Sequence, residues 1–215
     1  MLRRGVRRAT RAGYKHIAKP LLFRMHPDDV HHRLVRSAKI VSHMPGMRAL
    51  PRLWSHRSPR LEQELFGLTF QNPIGLSAGF DKNIDMSSVL RNVGFGFMIG
   101  GSITACPCDG NPKPWFHRLP KSRALVVHAG LPNQGVENIA RRLERVPEAV
   151  FRDFPLSISV AKTNTAECAD DAEAIYDYCQ SLAILEQGGL CQLYEINISC
   201  PNTFGGEPFT TPARL

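Results

Sequence analysis

Four short apolar runs, each with glycine, serine, lysine or asparagine at its end, constrain the fold of this chain more than any other feature. Segments with helical spacing of apolar residues alternate with these runs. The runs cover residues 73–78, 95–101, 156–161 and 193–199, and the helical segments cover 86–93, 132–145 and 170–187. Nearly continuous apolar strands that alternate with helices are typical of parallel sheets covered by helices, so the sequence predicts an α/β fold.

The number of strand–helix units indicates how much of a larger fold is present. A (β/α)8 TIM barrel has eight parallel strands and needs about 250 residues, whereas this chain has 215 residues and four predicted strands. We therefore predict the first half of such a barrel, and expect the chain to be the front part of a longer protein. An antiparallel hairpin with Gly67 at its turn is predicted over 64–70, and a long loop over 102–118.

The charge of the chain is unevenly distributed. Residues 1–60 contain 15 Lys and Arg and two acids, which gives a net charge of +13. Residues 61–215 contain 12 Lys and Arg and 17 acids, which gives −5. A basic head on a mildly acidic body predicts two regions that contact different partners.

The first 20 residues contain seven basic residues and no acid. Four interpretations are open for this stretch: a nucleic-acid arm, a cleaved transit peptide, a basic segment on an anionic membrane surface, and a solvated tail. Aromatic, Asn and Gln side chains that could contact bases are sparse nearby, so no nucleic-acid partner is predicted.

A helix is predicted to begin at His26-Pro27-Asp28-Asp29, because proline suits the first turn and acids suit the positive end of the helix dipole. The apolar residues that follow have helical spacing, so this helix packs on the main domain or lies in a membrane interface. We expect a small N-terminal helical membrane-docking segment over residues 1–45, a linker over 46–60 and the barrel part over 61–215.

Apolar residues make up 43% of the chain, but no run reaches the roughly 18–20 residues of a transmembrane helix. The cysteines show no zinc-type CxxC pair, so no metal site is predicted. No signal peptide precedes them, and we expect reduced thiols in an intracellular protein. The six cysteines are Cys106, Cys108, Cys168, Cys179, Cys191 and Cys200.

Glycine-rich and polar motifs lie at the ends of the predicted strands. They read NPIGLSAGFDKN over 72–83, GFGFMIGGSIT over 94–104 with GNPKP after it, RLP and GLPNQG within 118–135, and INISCPNT over 196–203. The carboxyl ends of parallel strands build the ligand site in α/β folds, so we expect these motifs to meet in one place.

In amino-acid sequence and in order, the four motifs resemble those of dihydroorotate dehydrogenase, the flavin enzyme of pyrimidine synthesis. The resemblance covers roughly residues 20–210. The segment 23–31, FRMHPDDVH, resembles the first helix of the membrane-associated, quinone-dependent class. In that class a small helical domain docks on the membrane and guides quinone to the flavin, and the basic head suits such a role.

The resemblance implies an FMN cofactor, dihydroorotate or orotate as substrate or product, and quinone and an anionic membrane surface as partners. It implies a location on the cytoplasmic face of a bacterial inner membrane, or at the mitochondrial inner membrane if the source is eukaryotic. In the family, the phosphate site and a second flavin-contacting lysine lie on the later strands. We therefore expect the 215-residue chain alone to be inactive.

The resemblance also implies roles for particular residues. The cofactor-binding residues are Ala78, Gly79, Lys82, Ser102, Ser159 and Asn197. The substrate-binding residues are Lys82, Gly130, Leu131, Asn197 and Asn202, and the residues that line the quinone passage are His31 and Arg118. Physical chemistry supports two of these roles, because a glycine allows close approach of a flat ring and a lysine supplies a cation for anionic orotate.

Cys200 is the predicted catalytic base. The resemblance implies that this base removes the C5 proton of dihydroorotate while a hydride leaves C6 for the flavin. A thiol has an ordinary pKa of about 8.5, so it must be deprotonated or hydrogen-bonded to act. The structural alternative is a small buried apolar side chain.

Several positions have the residue that is typical of the soluble classes of the family. Cys200 replaces the serine of the membrane class, Leu131-Pro132 replaces its phenylalanine, and Ser159 replaces its asparagine. Val127 stands where the family places an asparagine. A soluble-type dihydroorotate dehydrogenase, a dihydropyrimidine dehydrogenase and a non-catalytic membrane- or nucleic-acid-binding half-barrel therefore stay as alternatives.

Overall fold

The fold is described from a computed structural model, which covers residues 2–44, 46, 50–53, 55–206 and 209–213. Residues 45, 47–49 and 54, around and within the predicted linker, lie outside the described residues. The helices are α1 (Leu2–Gly13), α2 (Lys19–Phe23), α3 (Pro27–Ser42), α4 (Ser87–Val93), α5 (Val136–Leu143) and α6 (Asp171–Gly188). The strands are β1 (Gln63–Leu65), β2 (Leu68–Phe70), β3 (Gly75–Leu76), β4 (Phe97–Ile103), β5 (Phe116–Leu119), β6 (Ala124–Val127), β7 (Leu156–Val160) and β8 (Leu193–Ile196).

The basic head is helical. A π-helical turn over Tyr14–Ala18 joins α1 to α2, and α3 begins as predicted at Pro27. The imidazole of His26 caps α3 by accepting a hydrogen bond from the backbone N–H of Asp28 at 3.3 Å. None of the described helices is both long and apolar enough to cross a membrane.

Within the described residues, four parallel strands form the central sheet in the order β3-β4-β7-β8. The sequential order of neighbours is that of successive strands in a (β/α)8 barrel, as the alternation of strands and helices predicted. The strongly apolar β4 and β7 lie in the middle, where Met98 and Ile158 are fully buried. Helices α5 and α6 bury Ile139 and Leu185 in the same core.

The predicted hairpin over 64–70 is confirmed. Strands β1 and β2 pair antiparallel, with Leu65 opposite Leu68. Phe66 and Gly67 form the two-residue turn, and both have positive φ angles, 56° and 72°. Such turns match the right-handed twist of the paired strands.

The predicted helix over 132–145 is shorter in the structure, where α5 begins only at Val136. Asn133 pairs instead with Cys108, and their backbone groups exchange two hydrogen bonds of 2.8 and 2.9 Å. Gly135 then adopts a φ of 78°, which is incompatible with a right-handed helix. The proline at 132 therefore precedes a bridge and a turn rather than the first helical turn.

The predicted loop over 102–118 is wrong at both ends. Strand β4 continues to Ile103, so Ser102 lies inside the sheet. At the other end, β5 pairs antiparallel with β6, from Phe116 opposite Val127 to Leu119 opposite Ala124. Phe116 and Leu119 precede the polar turn 120–123 and the apolar run 124–127 follows it, and the loop assignment neglects this hairpin signal.

Candidate active site

A cavity of about 380 Å³ lies at the carboxyl ends of the parallel strands. It is lined by Ala78, Gly79, Lys82, Ser102, Phe116, Val127, Ala129, Gly130, Leu131, Asn197, Cys200 and Asn202. All the residues predicted to contact flavin or substrate are in this set except Ser159. The structure therefore brings together side chains from strand ends that are more than 100 residues apart in sequence.

Lys82 supplies the positive charge of the cavity. Its ammonium has no hydrogen-bond or ion-pair partner among the described residues, and it lies 5.2 Å from the ring centroid of Phe116 and 5.9 Å from that of Trp115. Burial lowers the pKa of Lys82, and the nearby carboxylate of Asp28 opposes this shift. A partly desolvated cation that faces a cavity favours an anionic ligand.

Ser102 and Asn197 form a hydrogen-bonded pair on the wall of the cavity. The amide of Asn197 donates to Ser102 Oγ at 2.7 Å, and Ser102 Oγ lies 2.7 Å from Ser159 Oγ. Ser159 is fully buried on β7 and does not line the cavity. The structure thus places Ser159 behind Ser102, where it orients that hydroxyl.

Asn197 is fixed from three directions. Tyr178 Oη donates to its backbone carbonyl at 2.7 Å, and the backbone N–H of Ser199 donates to its Oδ1 at 3.1 Å. With the bond to Ser102, these contacts define how the amide faces the cavity. A fixed amide provides a donor and an acceptor in known directions, which suits recognition of a heterocycle edge.

Cys200 and Asn202 lie in the segment that follows β8, which we call the Cys200 loop (residues 200–206). The hydroxyl of Thr203 donates to the backbone carbonyl of Cys200 at 3.2 Å. The amide of Asn202 donates to the backbone carbonyl of Val127 at 3.2 Å. Position 127 therefore contributes its main chain to the site, although its side chain lacks the amide that the family places there.

The backbone at Gly79 leaves room for a flat ring. Its φ angle is 95°, a conformation that glycine adopts without strain. A Cβ atom built at this position meets no atom within 4 Å, because it would project into the cavity. Together with the hydroxyl of Ser102 and the amide of Asn197, this open face fits the polar edge and the plane of a flavin ring.

A second cavity, of about 440 Å³, lies between α3 and the strand ends. Lys82 lines both cavities. His31 lines the second cavity and packs its ring against Phe80 and Phe116, with centroid distances of 5.5 and 5.7 Å. The pKa of His31 is lowered to about 4, chiefly by burial. The positive charge of Lys82 acts in the same direction.

The structure places Arg118 outside both cavities, on β5. Its guanidinium donates to the carbonyls of Leu22 and Met25 at 3.2 and 2.9 Å. It also lies over the ring of Phe23, 4.7 Å from the centroid. Arg118 therefore joins the end of α2 to the second hairpin.

Sequence reasoning missed several residues that shape the site. Phe116 and Ala129 line the cavity, and Lys162 and Asn164 contact the Cys200 loop from the end of β7. Asp28 was recognised only as a helix-start residue, although its carboxylate accepts a hydrogen bond from the backbone N–H of Phe116 in the second hairpin. The hairpin pattern could have located Phe116, whereas the loop contacts have no local sequence signal. Among the described residues, no group of His, Cys, Asp and Glu is arranged to hold a metal ion.

The fold and the cavity define part of a (β/α) barrel with a cavity at the carboxyl ends of its strands. A sequence model of the family described as dihydroorotate dehydrogenase matches residues 60–215. The chain therefore belongs to the dihydroorotate dehydrogenase family, which confirms the resemblance of the motifs. The family is flavin-dependent.

Curated relatives include proteins named dihydroorotate dehydrogenase (quinone). One from Synechococcus sp. (strain JA-3-3Ab) is 39% identical over 198 residues, which are 89% of this chain and 50% of that protein. One from Corynebacterium diphtheriae is 37% identical over 185 residues, with 86% and 48% covered. The chain thus spans about half the length of the curated relatives it matches.

Solved structures of the same family share the fold. The crystal structure of the enzyme from Eimeria tenella in complex with ferulenol has a TM-score of 0.65 and 28% identity, and covers 83% of this chain and 45% of its own. The ligand-free form from Eimeria tenella has a TM-score of 0.61 and 30% identity, with 83% and 47% covered. The predicted partial (β/α)8 barrel is confirmed by these matches.

Proposed function

We propose that the protein that contains this chain oxidises dihydroorotate to orotate with FMN and passes the electrons to quinone. The observation that carries this proposal is the cavity that Lys82, Asn197, Cys200 and Asn202 line together. The relatives that share this family are named for the same reaction.

Substrate recognition in this proposal rests on charge and on amide edges. Lys82 neutralises the anionic ligand, since its ammonium already faces the cavity and has no partner among the described residues that a ligand must displace. Asn197 and Asn202 hydrogen-bond the edge of the pyrimidine, and Gly130 and Leu131 cover its ring. A buried charged contact of this kind contributes about 1.5–3 kcal/mol.

The FMN ring is proposed to lie against Ala78, Gly79, Ser102 and Asn197, with Lys82 near its polar edge. Ser159 acts indirectly, because it holds the hydroxyl of Ser102. A bound FMN would supply the acceptor for the hydride from C6 of dihydroorotate. No described residue of the chain is assigned to the FMN phosphate, which the later strands of the family bind.

Cys200 is proposed to take the proton from C5 of dihydroorotate as the hydride leaves C6. The thiolate is the form of cysteine that accepts a proton, and the cation of Lys82, which lines the same cavity, favours negative charge there. The loop contacts of Cys200 and Asn202 fix the distance between the base and the substrate edge. The proton is then bound to the sulfur of Cys200, and the product ring has gained a double bond between C5 and C6.

The route of quinone is proposed to run along the helical head to His31, which contacts Phe116 on the cavity wall. Arg118 shapes this route indirectly by holding the end of α2. The head exposes large apolar side chains beside its basic residues, at Tyr14, Ile17, Leu21, Phe23, Leu34 and Ile40. Such a surface suits an anionic membrane, and we propose the cytoplasmic face of a bacterial inner membrane.

Two measurements on the natural protein test this function. Its intact mass should lie well above 24.0 kDa, by about half of a barrel. Anaerobic stopped-flow mixing with dihydroorotate should then bleach the flavin absorbance, and a short-chain quinone should restore it. A flavin that dihydroorotate fails to bleach, or a natural protein of 24.0 kDa without flavin, would refute the proposal.

A soluble-type dihydroorotate dehydrogenase is the second candidate, favoured by Cys200, Leu131-Pro132 and Ser159. The two candidates differ in the acceptor, so reoxidation of the reduced flavin by quinone is compared with reoxidation by NAD⁺. Vesicle co-sedimentation adds a second comparison. Anionic vesicles should retain the natural protein but not a variant lacking residues 1–18, and a natural protein that the vesicles do not retain would favour the soluble type.

A further inference from the structure

Two residues beyond the cavity, Lys162 and Asn164, follow β7 and reach toward the Cys200 loop. Neither lines the cavity. Lys162 is 3% exposed, and its ammonium donates to the backbone carbonyls of Phe204 and of Cys168, the latter at 2.8 Å. A buried ammonium is costly unless its donors are satisfied, so these bonds define where the side chain lies.

Asn164 completes the contact with the loop. Its Oδ1 accepts a hydrogen bond from the backbone N–H of Phe204 at 2.9 Å. Its Nδ2 donates to the carbonyl of Gly130 at 3.1 Å. Asn164 thus joins the Cys200 loop to the opposite wall of the cavity, and both backbone groups of Phe204 are held from the end of β7.

We propose that Lys162 and Asn164 are positioning residues that hold the Cys200 loop closed against the strand ends. The bonds are made to main-chain atoms of Phe204, four residues after Cys200, so they fix the path of the loop rather than any ligand. Burial lowers the pKa of the Lys162 ammonium, and acidic groups nearby, Asp171 and Asp177 among them, oppose this shift.

The kinetic consequence of this inference rests on the proposed function, but the structural consequence does not. Releasing Phe204 should increase the mobility of Cys200 and Asn202, whereas Lys82 and Asn197 stay on their own strand ends. The rate constant for flavin reduction should therefore fall more than the affinity for orotate. The loss of these hydrogen bonds should shift the equilibrium between the closed and the open Cys200 loop by about tenfold. The rate constant for flavin reduction should change by a similar factor.

The test uses the natural protein with Lys162→Met and Asn164→Ala, and with the exposed-site variants Lys121→Met and Asn138→Ala as controls. Hydrogen–deuterium exchange of the peptide that contains residues 200–206 should be about tenfold faster in both test variants and unchanged in both controls. Peptides from β7 and α6 should keep the exchange rates of the unmodified protein.

Stopped-flow flavin reduction and orotate titration give the second readout. At saturating dihydroorotate, the reduction rate constant should fall about tenfold, and the Kd of orotate should rise by less than about threefold. If Lys162→Met does not fold, Asn164→Ala decides the matter alone. Unchanged exchange of the loop, or equally faster exchange in β7 and α6, would overturn the inference. Faster loop exchange in a protein whose flavin dihydroorotate never reduces would support the inference and refute the proposed function.

Discussion

The carboxylate of Asp28 is expected to be the main attachment between the helical head and the second hairpin. Asp28 is 4% exposed in the first turn of α3. Its two oxygens accept hydrogen bonds from the backbone N–H groups of Trp115 at 2.9 Å and Phe116 at 3.0 Å. Both residues are near the cavity, so the substitution Asp28→Asn tests the attachment with almost no change of shape.

The expected loss of unfolding free energy in Asp28→Asn follows from the two hydrogen bonds that the carboxylate accepts. An asparagine oxygen accepts from one N–H group, but its NH₂ group faces the other N–H group, which is left without an acceptor. An unsatisfied buried donor costs about 1–3 kcal/mol, and the remaining bond loses about 1 kcal/mol with its charge. The free energy of unfolding should therefore fall by about 2–4 kcal/mol.

Asp29→Asn is a matched control, because Asp29 lies in the same helical turn and is exposed. Its loss should cost only about 0.3–1 kcal/mol through the helix dipole. Urea unfolding followed by tryptophan fluorescence measures both variants, and an m-value of about 3 kcal/mol/M would separate their midpoints by about 1 M. Equal shifts in the two variants would refute the reasoning.

Three further predictions concern the site. Cys200→Ser should slow flavin reduction in stopped-flow traces but leave the Kd of orotate nearly unchanged, and unaffected reduction would contradict the assignment of the base. Asn202→Ala should weaken orotate binding in a flavin-absorbance titration by about 1–3 kcal/mol, because a buried polar partner loses its bond. Burial lowers the pKa of His31 from 6.5 to about 4, so the unfolded chain binds more protons between these values. The contribution of His31 to the free energy of unfolding should therefore rise as the pH is raised from 4 to 6.5. Burial raises the pKa of Asp81 to about 6, which acts in the opposite direction, so the difference between the unmodified protein and His31→Phe in urea titrations at several pH values measures the part due to His31.

The parallel sheet could be predicted because its signal is local. Runs such as 156–161 are mostly apolar, and the sequence itself contains the residues that cap helix α6, Asp170 at its start and Gly189 after its end. The motif residues could also be placed, since each one directly follows a strand and parallel strands end at one edge. These inferences need no knowledge of which residues touch.

The rest depends on contacts between distant segments. The start of α5 was misplaced because the bond pattern between Asn133 and Cys108 competes with helix formation, and neither residue alone predicts that pairing. Ser159 was expected at the flavin, but whether a strand residue faces the cavity or the layer beneath it depends on register. The contacts of Lys162 and Asn164 join loops about 40 residues apart, and nothing near either residue indicates them.

The position of Arg118 has a practical consequence for anyone who wants a version of this protein that stays in solution. The obvious place to cut is the end of the basic region, near residue 45. That cut would remove the carbonyls of Leu22 and Met25, and the Phe23 ring, that hold the guanidinium of Arg118. A cut before Lys19 discards six of the seven basic residues at the start of the chain and keeps these acceptors, so the attachment of α2 to the hairpin whose Phe116 lines the cavity stays intact.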